Sequence, residues 1–213
     1  MNTTNENVPV VVISLDFELR WGVQDVYHAD FDSYAQNILS VRETIPIVLK
    51  MFSERRIHAT WATVGALALQ GWDEFFSLDI ALPDYANECL NVDLEKMAAI
   101  DPSGDFYYAP DLVDKIVKTK FQELGSHTFT HAYMLEEGVT IKNVVDQHDL
   151  VEEIWLKKYD LRPRSLVFPR NQCGFIEALN ATSIEIYRKT PNIWYEQYFR
   201  HYSIAQILSL IHI

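Results

Sequence analysis

The sequence predicts an α/β fold in which parallel strands alternate with crossover helices. Short apolar runs rich in β-branched residues recur along the chain, and stretches with helical spacing separate them. Acidic, histidine and arginine residues follow several of these runs, as is typical of sites at the carboxyl ends of parallel strands. With 213 residues, 48% of them hydrophobic and 23% charged, the composition is that of one globular domain.

The elements alternate in the order that crossover connections require. The first strand is a β-branched run that reads as buried on both faces. The first helix carries one apolar stripe, and Pro46 within it predicts a kink or a split. The predicted strands are residues 8–15, 57–64, 121–126, 164–168 and 184–187, and the predicted helices are residues 34–55, 65–69, 111–120, 144–159 and 174–180.

Residues 71–108 differ from the rest of the chain because acids, aromatics and prolines mix there without a period. This segment is predicted to be an insertion with one or two short helices. Its aromatic side chains are interpreted as core filling rather than as a ligand-binding platform, since aromatics dominate cores.

The charge balance argues against a nucleic-acid partner, because the chain has 30 acidic but only 18 basic residues and its net charge is −12. No apolar stretch has the length of a membrane span. The polar first residues lack the basic start and apolar run of a secretory signal, so a cytoplasmic location is expected.

Asp16 and Glu18 stand at the end of the first predicted strand, where residues two apart share a face. Two carboxylates directed into one site repel each other unless a cation or a proton lies between them. The alternative is that the two acids form no site and only mark the point where the strand ends in a polar loop.

His127 and His131 follow the third predicted strand with H-x-x-x-H spacing. On a helix this spacing places two imidazoles on one face, one turn apart, where both can bind one divalent ion. Two histidines and one carboxylate make a three-ligand site for Zn²⁺, with Co²⁺, Ni²⁺ or Mn²⁺ as alternatives, and leave a second carboxylate as general base. The alternative is a pair of solvated histidines.

Arg170 follows the fourth predicted strand, in Phe168-Pro169-Arg170. An arginine at this position can pair with a carboxylate and keep it oriented and ionised. The alternative is a surface arginine.

These segments together resemble the polysaccharide deacetylase family, carbohydrate esterase family 4. The family motifs are an acidic first strand, an H-(S/T)-x-x-H metal motif and a later strand motif with arginine and proline. They appear in that order here at residues 14–18, 127–131 and 168–170, and residues 57–65 (Ile-His-Ala-Thr-Trp-Ala-Thr-Val-Gly) resemble the family's second strand.

The resemblance implies a deformed (β/α) barrel and a hydrolase that removes an N-acetyl group from an acetylated sugar or polysaccharide intermediate. It implies that Asp16 is the catalytic base, that Glu18, His127 and His131 bind the metal, and that Arg170 positions Asp16. The D-x-E spacing of this chain leaves open whether Asp16 or Glu18 contacts the ion.

The barrel is expected to be incomplete at its C-terminus. A late Leu-x-His pattern at residues 210–212 follows Arg170 too closely for the remaining barrel strands, and residues 208–213 match the translation of a transposon end used in library preparation. The expected organisation is a disordered tail at residues 1–7, one catalytic domain at residues 8–207, and a non-native tail at residues 208–213 of a fragment.

Two other functions remain open from the sequence. One is a metal-dependent amidase that acts on a small non-sugar amide. The other is a catalytically inactive carbohydrate-binding homologue, which a low metal content would favour because a binding module need not hold one ion per chain.

Overall fold

A computed structural model of the chain describes residues 11–25 and 31–189. Within these residues, five strands form one sheet in the order β1-β2-β3-β4-β5, and every neighbouring pair is parallel. The predicted alternation of parallel strands and crossover connections is therefore confirmed. The strands are β1 (Ser14–Phe17), β2 (Ala59–Thr63), β3 (Gln122–Ser126), β4 (Ser165–Val167) and β5 (Ile186–Arg188).

Helices connect the strands and cover one face of the sheet. The first is a single helix that runs through Pro46, so the proline does not split it. The α-helices are α1 (Phe31–Arg55), α2 (Trp72–Phe76), α3 (Leu94–Ile100), α4 (Pro110–Lys118) and α5 (Ile141–Tyr159), and the 3-10 helices are Leu19–Val23, Gly65–Ala68, Glu88–Leu90, Pro169–Asn171 and Ile176–Ala181. None of the helices in the described ranges is long and apolar enough to cross a membrane.

The sheet curls until its two edge strands approach each other. The Arg188 side chain on β5 donates from Nη1 to Ser14 Oγ on β1 at 3.0 Å, and its Nη2 lies 3.7 Å from Asp16 Oδ2. These strands are the first and last of the sheet, so their side chains meet only across a concave face. The five strands are thus a curled half-barrel, which agrees with the predicted incomplete deformed (β/α) barrel.

The alternation of side chains separates a polar concave face from an apolar convex face. Ser14 and Asp16 of β1 face the concave side, whereas Leu15 and Phe17 join the main core beneath the helices. Burial of each large apolar side chain between the sheet and the helices stabilises the fold by about 1.5–3 kcal/mol. This apolar layer therefore holds in place the strands that carry the polar side chains of the concave face.

The segment from residue 71 to residue 108 folds onto the main body through aromatic packing. Trp72, Phe75 and Tyr107 are buried in the main core, and Trp72 Nε1 donates to the carbonyl oxygen of Asp101 at 2.7 Å. The interpretation of the segment's aromatics as core filling is confirmed for these residues, whereas Phe76 is 52% exposed. The segment contains two short α-helices, α2 and α3, and one 3-10 helix, Glu88–Leu90, where one or two short helices were predicted.

Some sequence predictions lie outside the described residues. They are the N-terminal tail at residues 1–7, the last part of the catalytic domain beyond residue 189, and the tail at residues 208–213. The proposed domain boundaries therefore stay predictions.

Candidate metal centre

Glu18 follows β1, and its carboxylate meets two imidazoles at the carboxyl end of the sheet. Glu18 Oε2 lies 3.3 Å from His127 Nε2 and 3.1 Å from His131 Nε2. One ligand atom from each of these residues lies within 4.8 Å of the others. The structure therefore brings together the three residues that the resemblance assigned to the metal.

The local chain around Glu18 leaves room for its side chain because residue 22 is a glycine. A Cβ atom built on Gly22 would lie 2.0 Å from both Cδ and Oε1 of Glu18. Gly22 belongs to the 3-10 helix that directly follows Glu18. The absence of a side chain at this position therefore fixes where the carboxylate can lie.

His127 and His131 do not lie on a helix, so the predicted helical arrangement of the pair is wrong. They belong to a loop of residues 127–133, here called the histidine loop, and their ring centroids are 4.9 Å apart. Thr128 and His131 adopt positive φ angles of 61° and 59°, which fold the loop back on itself. Left-handed backbone, rather than one turn of helix, brings the two imidazoles to the same point.

The turn after β2 holds the histidine loop from one side. The backbone amides of Gly65 and Ala66 donate to the carbonyl oxygens of Thr128 and Phe129, each at 2.9 Å. A Cβ atom on Gly65 would lie 2.8 Å from Cδ2 of Phe129, so glycine allows this close approach. The glycine at the end of the second predicted strand therefore has a structural role beside the site.

The orientation of His127 is set by a backbone carbonyl. Its Nδ1 lies 2.7 Å from the carbonyl oxygen of Val167 at the end of β4. A carbonyl only accepts, so Nδ1 donates this hydrogen bond, and Nε2 is the ring atom that faces Glu18. Such a hydrogen bond is the usual second contact of a histidine that binds a metal.

The pKa values of Glu18 and His131 are both shifted downward in the site. Burial raises the pKa of Glu18, but hydrogen bonds and charge from His127 and His131 lower it by more, and the net shift is downward. Burial lowers the pKa of His131, and the opposing effect of Glu18 is smaller. A lowered pKa favours the deprotonated form of each group, which is the form that binds a divalent ion.

The spacing of the donors also fits one ion. Two ligand atoms that are each about 2.05 Å from a tetrahedral Zn²⁺ lie about 3.3 Å apart. The two distances from Glu18 Oε2, 3.3 and 3.1 Å, agree with that separation. One oxygen and two nitrogen donors form a set that suits zinc and other first-row divalent ions.

Asp16 lies on the concave face of β1, two residues before Glu18. Its Oδ2 lies 3.7 Å from Arg188 Nη2, and its Oδ1 is buried without a hydrogen-bond partner in the described part of the chain. Arg188 also donates to Asn171 Oδ1 at 3.2 Å. The sequence analysis missed Arg188, although it directly follows the last predicted strand, where the rule of strand ends would have found it.

Arg170 does not pair with Asp16, so the expected pair between these two residues is wrong. The Arg170 guanidinium forms an ion pair with Asp25 and lies 4.4 Å above the ring centroid of Tyr133. Tyr133 in turn donates to Asp25 Oδ1 at 3.3 Å, and its ring stands edge-on to His131 at 5.4 Å. Arg170 thus borders the site on the His131 side, and no pattern in the sequence marked Asp25 or Tyr133.

Comparisons with known proteins bear on the fold. No protein-family model matches the sequence, and no curated protein matches it. Solved structures do match, including a de-N-acetylase from Aggregatibacter actinomycetemcomitans, which is 14% identical at a TM-score of 0.51 over 85% of this chain and 64% of that one.

Two further solved structures align less closely. Peptidoglycan deacetylase PdaC from Bacillus subtilis is 12% identical at a TM-score of 0.46, over 96% of this chain and 70% of that one. A carbohydrate esterase family 4 pseudoenzyme from Bacillus anthracis is 13% identical at a TM-score of 0.48, over 85% of this chain and 43% of that one.

The chain therefore shares the fold of a solved de-N-acetylase. It spans less than half of the length of the pseudoenzyme and 64% of the length of the de-N-acetylase.

Proposed function

We propose that this chain catalyses the metal-dependent hydrolysis of an N-acetyl amide on a carbohydrate. The observation that carries the proposal is the convergence of Glu18 Oε2, His127 Nε2 and His131 Nε2 within 4.8 Å at the carboxyl end of a parallel sheet. A carboxylate that is not part of this set, Asp16, lies on β1 two residues before Glu18. One three-ligand site and one further carboxylate are the minimum for metal-assisted amide hydrolysis.

Glu18, His127 and His131 would hold the ion, with Zn²⁺ as the first candidate and Co²⁺, Ni²⁺ or Mn²⁺ as alternatives. A divalent cation supplies Lewis-acid chemistry, because it polarises a carbonyl oxygen and lowers the pKa of water. The protein residues bind and orient it: Val167 O fixes the ring of His127, and Gly22 leaves space for Glu18.

Asp16 is proposed as the general base. Its side chain is about four-fifths buried at 20% exposure, and one of its oxygens has no partner among the described residues. A carboxylate at this position could accept a proton from an attacking water molecule. Arg188 holds the other side of the carboxylate, in the positioning role that the family resemblance gave to Arg170.

Arg170 is proposed to border the bound substrate. Its side chain is 39% exposed, whereas those of His127 and His131 are 2% and 3% exposed. The Asp25 carboxylate and the Tyr133 ring hold its guanidinium beside the site. The N–H groups not used by Asp25 can donate to sugar hydroxyl or carbonyl oxygens.

The proposed substrate is an acetylated amino sugar or a polysaccharide intermediate. The name of the de-N-acetylase that shares the fold supports removal of an acetyl group from nitrogen.

The experiment measures bound metal by elemental analysis and acetate release from N-acetylated amino-sugar oligomers. Wild type is compared with His127→Ala/His131→Ala and with Asp16→Asn. His58→Ala is the matched control, because His58 precedes β2 at the opposite end of the sheet. We expect about one ion per chain in wild type and the control, and loss of that ion in the double variant.

Asp16→Asn separates the two roles of the site. We expect it to retain the ion but to lower the rate of acetate release by at least about 100-fold, the usual contribution of a general base. A folded wild-type protein that takes up no Zn²⁺ or Co²⁺ would refute the metal-dependent function. A metal-loaded protein that binds sugars without hydrolysing any acetamide would support the inactive carbohydrate-binding homologue, and hydrolysis of small non-sugar amides alone would support the amidase.

A further inference from the structure

We propose that Gln147 is a positioning residue that holds the histidine loop in its metal-binding conformation. The inference rests on the proposed metal site, and it assigns a role to a residue on α5 that contacts no ligand atom. The starting point is that the two histidines lie on a loop, which has no helical hydrogen bonds to fix their separation.

The loop between the two histidines has buried backbone donors that need acceptors. Phe129 and Thr130 lie between the histidines and are 0% and 2% exposed. Their N–H groups cannot reach water, and left-handed residues on both sides of them prevent a regular helical pattern. Buried amides of this kind must find an acceptor within the protein.

Gln147 supplies that acceptor. Its Oε1 accepts from Phe129 N and from Thr130 N, each at 2.8 Å. Its Nε2 donates to Thr130 Oγ1 at 2.9 Å. Gln147 is itself fully buried, so water does not compete for either end of its amide.

These three hydrogen bonds fix the segment that sets the distance between the ligands. Gly65 and Ala66 bind the loop carbonyls from the side of the sheet, and Gln147 binds the loop amides from the side of α5. The loop is therefore held from both sides at the residues between His127 and His131. Loss of one of these supports should spread the two imidazoles and weaken metal binding more than it weakens the fold.

The experiment compares Gln147→Met, Gln147→Glu and wild type in the full chain. Zn²⁺ affinity is measured by competition with a chromogenic chelator, the geometry of the site by the absorption spectrum of the Co²⁺-loaded protein, and the fold by thermal unfolding of the metal-free protein. Gln122→Met is the matched control, because Gln122 at the opposite end of β3 also makes hydrogen bonds with both ends of its amide, to Trp61 and Ile57.

We expect Gln147→Met to weaken Zn²⁺ binding about 10- to 100-fold, as is usual for residues that support metal ligands, and to change the Co²⁺ spectrum. Gln147→Glu should retain the wild-type Zn²⁺ affinity and Co²⁺ spectrum, since a buried glutamic acid keeps the acceptor oxygen and, when protonated, a donor. Gln122→Met should bind Zn²⁺ as wild type does.

Wild-type affinity and an unchanged Co²⁺ spectrum in Gln147→Met would overturn the inference while leaving the metal site intact. Absence of metal binding in wild type would instead refute the proposed function and this inference with it. If Gln147→Met does not fold, Thr130→Val decides, because it removes only the bond from Gln147 Nε2. An unchanged Zn²⁺ affinity in Thr130→Val would then overturn the inference, and a several-fold loss would support it.

Discussion

Replacement of Gly22 by alanine should weaken metal binding without weakening the fold. A Cβ atom at this position would lie 2.0 Å from Cδ and Oε1 of Glu18, whereas ordinary contact begins at 3.4 Å. The carboxylate must therefore retreat by about 1.4 Å, which is far more than the roughly 0.2 Å that a metal ligand tolerates. Gly22 does not adopt a left-handed backbone, so alanine itself fits the local conformation.

The size of the effect follows from the loss of Glu18 as a ligand. Residues that only support a ligand contribute about 10- to 100-fold to metal affinity, so displacement of a ligand should cost about 100-fold or more. At a Zn²⁺ concentration 100 times the wild-type Kd, bound metal stabilises wild type by about 2.7 kcal/mol. The variant at the same concentration would gain only about 0.4 kcal/mol.

Thermal unfolding with and without Zn²⁺ measures this difference. For a chain of this size, 1 kcal/mol corresponds to about 2–4 °C in Tm. Zn²⁺ should therefore raise the Tm of wild type by about 5–11 °C and that of Gly22→Ala by about 1–2 °C. The metal-free variant should be as stable as wild type or slightly more stable, because alanine reduces the entropy of the unfolded chain.

A double-mutant cycle with Glu18→Ala tests the physical reason. If Gly22→Ala acts by displacing the Glu18 carboxylate, it should have no further effect on Zn²⁺ affinity once that carboxylate is absent. Equal losses of affinity in the presence and absence of Glu18 would refute the reasoning, as would a metal-free Gly22→Ala protein that is strongly destabilised.

Three further predictions concern stability. Arg188→Met removes the hydrogen bonds to Ser14 and Asn171 across the concave face. It should lower the free energy of unfolding in urea by about 2 kcal/mol. A change below about 0.5 kcal/mol would show that the curvature of the sheet does not depend on these hydrogen bonds. Burial lowers the pKa of His148 to about 4 from an unfolded value of 6.5, so between these pH values the unfolded chain binds more protons than the folded chain. The free energy of unfolding should therefore fall by about 3 kcal/mol from pH 7 to pH 4. His148→Leu should remove this contribution to the pH dependence. Thr140→Ala removes the N-cap of α5 and should cost about 1 kcal/mol by thermal unfolding, with no change in Zn²⁺ affinity.

The parallel alternation of strands and the members of the candidate site could be predicted because their signals are local. β-branched runs marked the strands, and the rule that sites lie at the carboxyl ends of parallel strands selected Asp16, Glu18, His127 and Arg170 without knowledge of any contact. Asp16 and Glu18 were expected on one face from the period of two. The structure places Glu18 against the two histidines and leaves Asp16 on the concave face near Arg188.

The details that the sequence could not provide depend on contacts between distant segments. The helical arrangement of His127 and His131 was wrong because spacing does not show that Gln147, from another element, binds the loop amides. The partner of Arg170 was wrong because the choice between two carboxylates depends on where the chain around Asp25 lies. No periodicity carries either kind of information, since both depend on how separate elements pack.

Several of the left-handed backbone positions of this protein lie in the loops that carry the candidate site, and hydrogen bonds from the surrounding elements support the histidine loop. Thr128, His131 and Arg170 have φ angles of 61°, 59° and 51°, and such conformations cost a residue other than glycine roughly 1 kcal/mol or more. The hydrogen bonds that hold the histidine loop in this form come from Gly65 and Gln147, and none of them depends on an ion. We therefore expect the three donors to be assembled before any ion binds, unlike those of a zinc finger, in which the metal must fold the chain. Because assembly of the loop is separate from binding, substitutions at Gly22 or Gln147 can alter metal affinity while the fold is retained.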